Sequence, residues 1–518
     1  MHSNSSQAST PLLDAQWKCA NKNHAPFYTP GHKQGQGISQ RLADCFGADV
    51  FRADIPELPD LDNLFAPQAV IQQAQQLAAE AFGAEKTWFL VNGSTCGIEA
   101  AILATCQPGD KIILPRNVHY CAIASLILSG AIPIFVYPEY DFSLDIAHSI
   151  TPNGVLDALA QHPNAKAVMM VYPTYYGVCG DVAAIASIAH KHNIPLLVDE
   201  AHGAHFAFHP ELPTPALAAG ADLTVQSIHK VLGAMTQASM LHTQGNRVNI
   251  DRVSKSLQLL QSSSPSYLLL ASLDAARQQM ALQGKELMTR TLQLSDIARK
   301  RISQIPGLSV LQAVKTPGFV TFDKTRLTVT VSGLGITGFE ADEILHQELR
   351  VTAELPSLLH LTFIITLGNT EADIEQLVQA FVTLATRKLG ELGEQGEQGE
   401  QGGPGAEGQE GRRGAGESRT VTSYQLAVSS YQLPVTNSIL TPREAFFAPT
   451  ETLPIQQTSD RISAELVCPY PPGIPILMPG EIITPQALDY LQNIKAMGGV
   501  ISGCADPSLK QLKVVKTR

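Results

Sequence analysis

Lys230 closes the run Thr224-Val-Gln-Ser-Ile-His-Lys230, and Asp199-Glu-Ala-His202 lies upstream of it. A lysine amine that sheds its proton in a semi-buried site is a nucleophile toward an aldehyde. Pyridoxal phosphate is an aldehyde cofactor of this kind. It needs a lysine for the aldehyde, a carboxylate for the ring nitrogen and donors for the phosphate. Lys230, Asp199 and Ser227 are of the right types. Taken alone, the two runs leave open that Lys230 is an ordinary surface lysine, because short motifs recur by chance.

The elements around them decide how much weight they carry. Leu196–Asp199 reads as a buried parallel strand that delivers a carboxylate at its C-terminal edge. Asp222–Ser227 reads as the next strand, with Ser227, His229 and Lys230 at its end. Further upstream, the spacing of Val70, Ile71, Ala74, Leu77, Ala78 and Ala81 predicts a helix over 67–82. Strand Thr87–Val91 follows, then Asn92-Gly-Ser-Thr-Cys-Gly97 and a helix from Ile98 to Thr105. Hydroxyls and N–H groups at such a helix start form an anion site, which suits Ser94 and Thr95 to a phosphate. Serving only as helix caps is the alternative use of the same residues. His119 follows strand Lys111–Leu114, where its ring could stack on a flat cofactor or simply cap a helix. Thr174 sits in the loop Tyr172–Gly177 after strand Ala167–Tyr172. Ser94, Thr95, His119, Thr174, Asp199, His202, Ser227 and Lys230 therefore all follow strands of one α/β alternation. Ligands of open parallel sheets bind at that edge. One such residue would be noise; the series predicts a site for a phosphate-bearing aldehyde.

The 518-residue chain exceeds one domain, and 44% hydrophobic residues suffice for a large core. A net charge of -11 argues against nucleic acid or an anionic membrane as partner. The eight scattered cysteines have no C-x-x-C pair and no metal-ligand spacing, so free thiols in a reducing cytoplasm and no metal are expected. Neither a signal peptide nor a membrane span is expected.

Phe27–Gly37 is a loop holding His32. Asp54–Asp62, with Asp54, Glu57, Asp60 and Asp62 and two prolines, is a rigid acidic loop that could line a pocket for a cation. Residues 308–385 alternate strands and helices as a smaller α+β unit. From Gly390 to Gly414 glycine recurs every third residue, as in collagen, but with Pro404 as its one proline. A charged, disordered linker is the expectation there. The expected division is 1–66 arm and loops, 67–300 large domain, 301–389 small domain, 390–419 linker and 420–518 a C-terminal α+β domain.

With Ser227-Ile-His-Lys230, Asp199-Glu-Ala-His202, Asn92-Gly-Ser-Thr95, Tyr28-Thr-Pro-Gly-His32 and Tyr470-Pro-Pro-Gly-Ile-Pro475 in hand, the chain resembles the Orn/Lys/Arg decarboxylases. It is similar to the shorter forms without an N-terminal wing domain. The resemblance covers about 22–385 and 455–500; the glycine triplets fall outside it. It implies the α/β fold type I of pyridoxal 5′-phosphate enzymes, aspartate-aminotransferase-like, with active sites built by a homodimer. By motif it makes Lys230 the Schiff-base lysine, Asp199 the acid on the ring nitrogen and His119 the stacking ring. Ser94, Thr95 and Ser227 fall to the phosphate, His229 to the pair before the lysine, and Ala201 and His202 beneath and beside the ring. The reaction implied is loss of carbon dioxide from a basic amino acid, giving agmatine or a diamine. Arginine is expected first, then lysine, then ornithine, with His32, Asp54, Glu57 and Thr174 as candidate substrate contacts. An aminotransferase, an aldolase or an inactive regulatory relative would use the same fold.

Overall fold

The computed structural model describes residues 7–400, 440–470 and 473–516, with the backbone alone from 392 to 400. A seven-stranded sheet forms its centre. In chain order the strands are β1 (Lys86–Leu90), β2 (Lys111–Pro115), β3 (Ile132–Val136), β4 (Ala167–Val171), β5 (Leu196–Asp199), β6 (Leu223–Gln226) and β7 (Ser239–Thr243). They lie in the order β1-β7-β6-β5-β4-β2-β3, and β7 alone runs against its neighbours.

Both faces are covered, so the strands read as continuous apolar runs. Side chains still alternate between faces with the strand period. Val168, Met170, Leu196 and Val198 join one core with helices Val70–Phe82, Val182–Lys191 and Tyr267–Ile302. Ala167, Met169, Leu197 and Val225 join the other with Gly93–Thr105, Tyr120–Ser129 and Ile250–Leu260. The first of these last three helices sits very close to the sheet. A Cβ on Gly97 would lie 2.6 Å from Val225 Cγ1 and 2.8 Å from Leu90 Cδ1, so only glycine allows that approach.

The small domain is a four-stranded antiparallel sheet in which Arg326–Thr330 and His360–Ile364 are central. Helices Gly338–Gln347 and Glu371–Glu400 cover it. The second of these corrects one expectation: the glycine-triplet stretch opens as helix, not as coil. Between its glycines the chain is Glu, Leu and Gln, all good helix formers. Glu391 also pairs with Arg387 at 3.3 Å and Lys388 at 2.9 Å, one turn back. Residues 401–439, which hold the rest of the expected linker, lie outside the described residues.

The C-terminal unit pairs Thr450–Pro454 with Gln511–Val515 and Cys468–Tyr470 with Val500–Ser502, around helix Pro485–Ala496. Arg116, just after β2, ties it to the large domain. Its wholly buried guanidinium donates to Pro475 O (2.7 Å), Ile476 O (3.1 Å) and Glu481 (3.1 Å). Tyr120 N–H also donates to Gly473 O at 3.0 Å. Among the described residues no helix is long and apolar enough to cross a membrane, and all eight cysteines are free thiols.

Candidate active site

Strand ends bring the predicted residues together. β5 ends in Asp199, whose Oδ1 accepts from the N–H of Ala201 at 3.2 Å. The turn that follows buries Ala201 and His202. β6 leads into a four-residue helix, Ile228–Val231, with Ser227 as its N-cap position. Lys230 Nζ lies 3.0 Å from His202 Nε2. Ser227 Oγ donates to Ser94 Oγ at 2.8 Å. Ser94 and Thr95 occupy the first turn of helix Gly93–Thr105, which begins five residues earlier than its periodicity suggests. Gly93 turns the chain from β1 into that helix with φ +74°. His119 is the N-cap of helix Tyr120–Ser129, so its capping and ring-presenting uses coincide in one residue.

The electrostatics are those of a dry site. Burial pushes the Lys230 amine below its usual range; the nearby Asp199 pulls it back up, and the Arg326 guanidinium pushes it further down. Burial raises the Asp199 carboxyl, and Lys230 opposes that. Burial, reinforced by Lys230, takes the His119 ring to about 4. His202 is driven well down by burial and then by Lys230 and Arg326. Burial also lowers His229, whose Nδ1–H donates to Ala238 O at 3.1 Å and fixes the turn before Lys230. The three histidines are therefore neutral at physiological pH. His119 Nδ1 accepts from the Cys121 N–H (3.4 Å) and lies 3.1 Å from its thiol, which leaves the ring proton on Nε2.

The remaining candidates are not joined to this cluster. Thr174 holds its own loop, taking the Val178 N–H on Oγ1 at 3.2 Å. His32 pairs with Asp54 at 3.2 Å, and Glu57 accepts from Asn63 (2.6 Å) and Leu64 N–H (3.1 Å). Asp60 pairs with Lys22 at 3.0 Å. Asp62 accepts from Gln68, Ala69 and Ile71 N–H at the start of helix Val70–Phe82; burial raises its carboxyl, but those backbone bonds win and hold it low. Among the described residues, no hydrogen bond or ion pair links these acids to the Lys230 cluster. Each is used to build the arm, since an acid finds the nearest donor whatever pocket its charge would suit.

Sequence reasoning missed Arg326, Tyr175, Glu354 and Cys121. Tyr175 lies with its ring 4.5 Å from that of His202, and its hydroxyl donates to Glu354. Arg326, at the start of a small-domain strand, is fully buried and donates from Nη2 to His202 O at 3.0 Å. Its buried ion-pair partner, 3.7 Å away, is Asp323, just after the short strand Thr321–Phe322, and an aspartate three residues before an arginine is no motif that would have flagged either.

A phosphate-bearing pyridine aldehyde fits this set. A buried amine held below its usual range lies near a buried carboxylate, paired hydroxyls stand at a helix N-terminus, and His202 Nδ1 is buried with no hydrogen-bond partner in the protein.

Comparison with known proteins agrees. Residues 10–341 match the family model "Orn/Lys/Arg decarboxylase, major domain", and 425–505 match its C-terminal domain. The chain is 39% identical over 513 residues to a protein of Bacillus subtilis (strain 168) named arginine decarboxylase, covering 99% of each chain. It is 37% identical to a protein of the same name from Bacillus anthracis, over 99% of this chain and 98% of that one. The fold is similar to that of a Francisella novicida lysine decarboxylase, with TM-score 0.79, 21% identity, and 98% and 81% of the two chains covered.

Proposed function

The chain belongs to the Orn/Lys/Arg decarboxylase family, and we propose that arginine is the amino acid it decarboxylates, giving agmatine and carbon dioxide. It is an amino-acid decarboxylase, and pyridoxal 5′-phosphate is its cofactor. This replaces the aminotransferase and aldolase readings. The choice of arginine is carried by full-length similarity at 37–39% identity to proteins named arginine decarboxylase.

The bound cofactor supplies an electron sink for the pair left on the α-carbon. The protein's part is positioning and proton control. Lys230, its amine pushed below the usual lysine range by burial and the Arg326 charge, would hold the aldehyde. Asp199 would face the ring nitrogen and keep it protonated. Ser94, Thr95 and Ser227 would hold the phosphate together with N–H groups at the start of helix Gly93–Thr105. His119, neutral and with its proton on Nε2, would lie against the ring, with Ala201 and His202 beneath and beside it and His229 fixing the turn. Lys230 Nζ is the group placed to return a proton to the α-carbon, because His119, His202 and His229 stay uncharged. His202 Nε2, 3.0 Å away, would steady that amine. We place the enzyme in the cytoplasm, in keeping with eight free thiols. We read it as a homodimer or higher homo-oligomer, in keeping with Phe27 at 94% and Phe46 at 68% exposure on the arm.

Carbon dioxide release from arginine, lysine and ornithine by the cofactor-loaded protein tests the reading. The highest kcat/KM is expected for arginine; a higher value for lysine would reassign the substrate.

A further inference from the structure

The acids expected to meet the substrate's cation are committed to the arm, yet a different set surrounds open space. A cavity of about 750 Å³ lies between the small-domain helix Gly338–Gln347 and the C-terminal unit, and Glu354 is part of its wall. Asp145, Glu340, Asp342, Glu343 and Glu354 line it, with no lysine or arginine among the described lining residues. Three of the five already accept a hydrogen bond: Glu340 caps its own helix through Thr337, Asp145 accepts from the Tyr140 hydroxyl, and Glu354 accepts from the Tyr175 hydroxyl through Oε1 alone. Asp342 is different, because its Oδ1 is buried with no hydrogen-bond partner. Glu354 joins the cavity to the catalytic lysine, through Tyr175, His202 and then Lys230.

A second observation points to what enters. Arg326 is wholly buried and ion-paired with Asp323 only at 3.7 Å, and its Nε and Nη1 have no hydrogen-bond partner. Beyond that long pair, a buried guanidinium with idle donors has room for a further anionic acceptor. A buried carboxylate oxygen without a hydrogen bond, in a carboxylate whose neighbouring cationic group is His346 and not a lysine or arginine, has room for a cation. One molecule with a carboxylate at one end and a cation at the other satisfies both.

Resting on the decarboxylase reading, we propose that this cavity receives the cationic end of the amino-acid substrate, with Glu354 and Asp342 as the carboxylates that recognise a guanidinium or ammonium there. Two separated carboxylates suit the fork of a guanidinium better than a point-like ammonium, so they also set the preference between the basic amino acids.

The test titrates agmatine and pentylamine by calorimetry into the cofactor-loaded full chain, as wild type, Glu354→Gln and Asp342→Asn. Both ligands carry an amine, but only agmatine carries a cation at the far end. Agmatine affinity should fall about ten- to hundredfold in either variant, the range for a lost charged hydrogen bond, while pentylamine changes by less than about twofold. Pentylamine thus controls for folding and cofactor loading. Agmatine affinity within about threefold of wild type in both variants, or an equal fall for both ligands, would overturn the proposal. Binding needs no turnover. A wild type that releases no carbon dioxide from arginine would therefore refute the decarboxylase reading separately.

Discussion

Replacing Arg116 with methionine should uncouple the C-terminal unit from the site. The guanidinium is fully buried and makes three donations, to Pro475 O, Ile476 O and Glu481, which is itself 1% exposed. Methionine keeps much of the volume but leaves a buried carboxylate without its cation. Losing one partner of a buried pair costs about 3–5 kcal/mol. With an unfolding entropy of about 2.1 cal/mol/K per residue, a chain of this size melting as one unit loses about 1 kcal/mol per degree, so Tm should drop by about 3–5 °C. Activity should fall as well. Arg116 begins the segment that carries His119, and Tyr120 N–H holds Gly473 O at 3.0 Å on the opposite wall. The assay is differential scanning calorimetry of Arg116→Met, Glu481→Gln and the double variant, with arginine turnover alongside. The double variant should recover part of the loss, because no uncompensated charge remains. A single variant melting within about 1 °C of wild type would refute the claim that this pair joins the domains.

Lys230→Ala should abolish covalent retention of the cofactor: borohydride reduction fixes pyridoxyl to wild type and none to the variant, and fixation to the variant would remove Lys230 from its role. Ser94→Ala and Ser227→Ala should each weaken pyridoxal 5′-phosphate by about tenfold or more while leaving pyridoxal unchanged, because only the phosphate meets those hydroxyls; equal losses for both ligands in equilibrium dialysis would argue against a phosphate site. Acid should destabilise the fold through buried His242, which burial depresses to about 3. The unfolded chain takes up that proton near pH 6.5 and the folded chain refuses it, so stability falls as pH drops below about 6.5, by about 2 kcal/mol at pH 5 from this residue. His242→Gln should flatten the denaturant midpoint against pH between 6.5 and 4, and an unaltered slope would mean that the ring titrates normally in the folded state.

The large sheet and its strand-end residues were legible in the sequence because both signals are local. Apolar runs of strand length separated by helical periodicity specify β2 through β6. A small-residue turn or an acid at the end of such a run specifies Ser94, Asp199 and Ser227. Family motifs then named Lys230 and His119. The linker boundary was less legible, since glycine periodicity says nothing of the helix-forming Glu, Leu and Gln between the glycines, and the described helix runs on to Glu400. The partners of the acidic arm were not legible, because a sequence displays charge and not partners: Asp54, Asp60 and Asp62 meet His32, Lys22 and a helix start.

What the sequence determined by itself is which candidate residues stand at the edge of one sheet, because β1, β2, β4, β5 and β6 each lead into their own at their own ends. What only the tertiary structure decided is the company those residues keep. Arg326 reaches the carbonyl of His202 from another domain, Glu354 takes the Tyr175 hydroxyl, and Arg116 meets Glu481. Those pairs are far apart along the chain and follow no spacing. They exist because a desolvated charge must find an opposite charge or a donor, and only the packed fold determines which one is within reach.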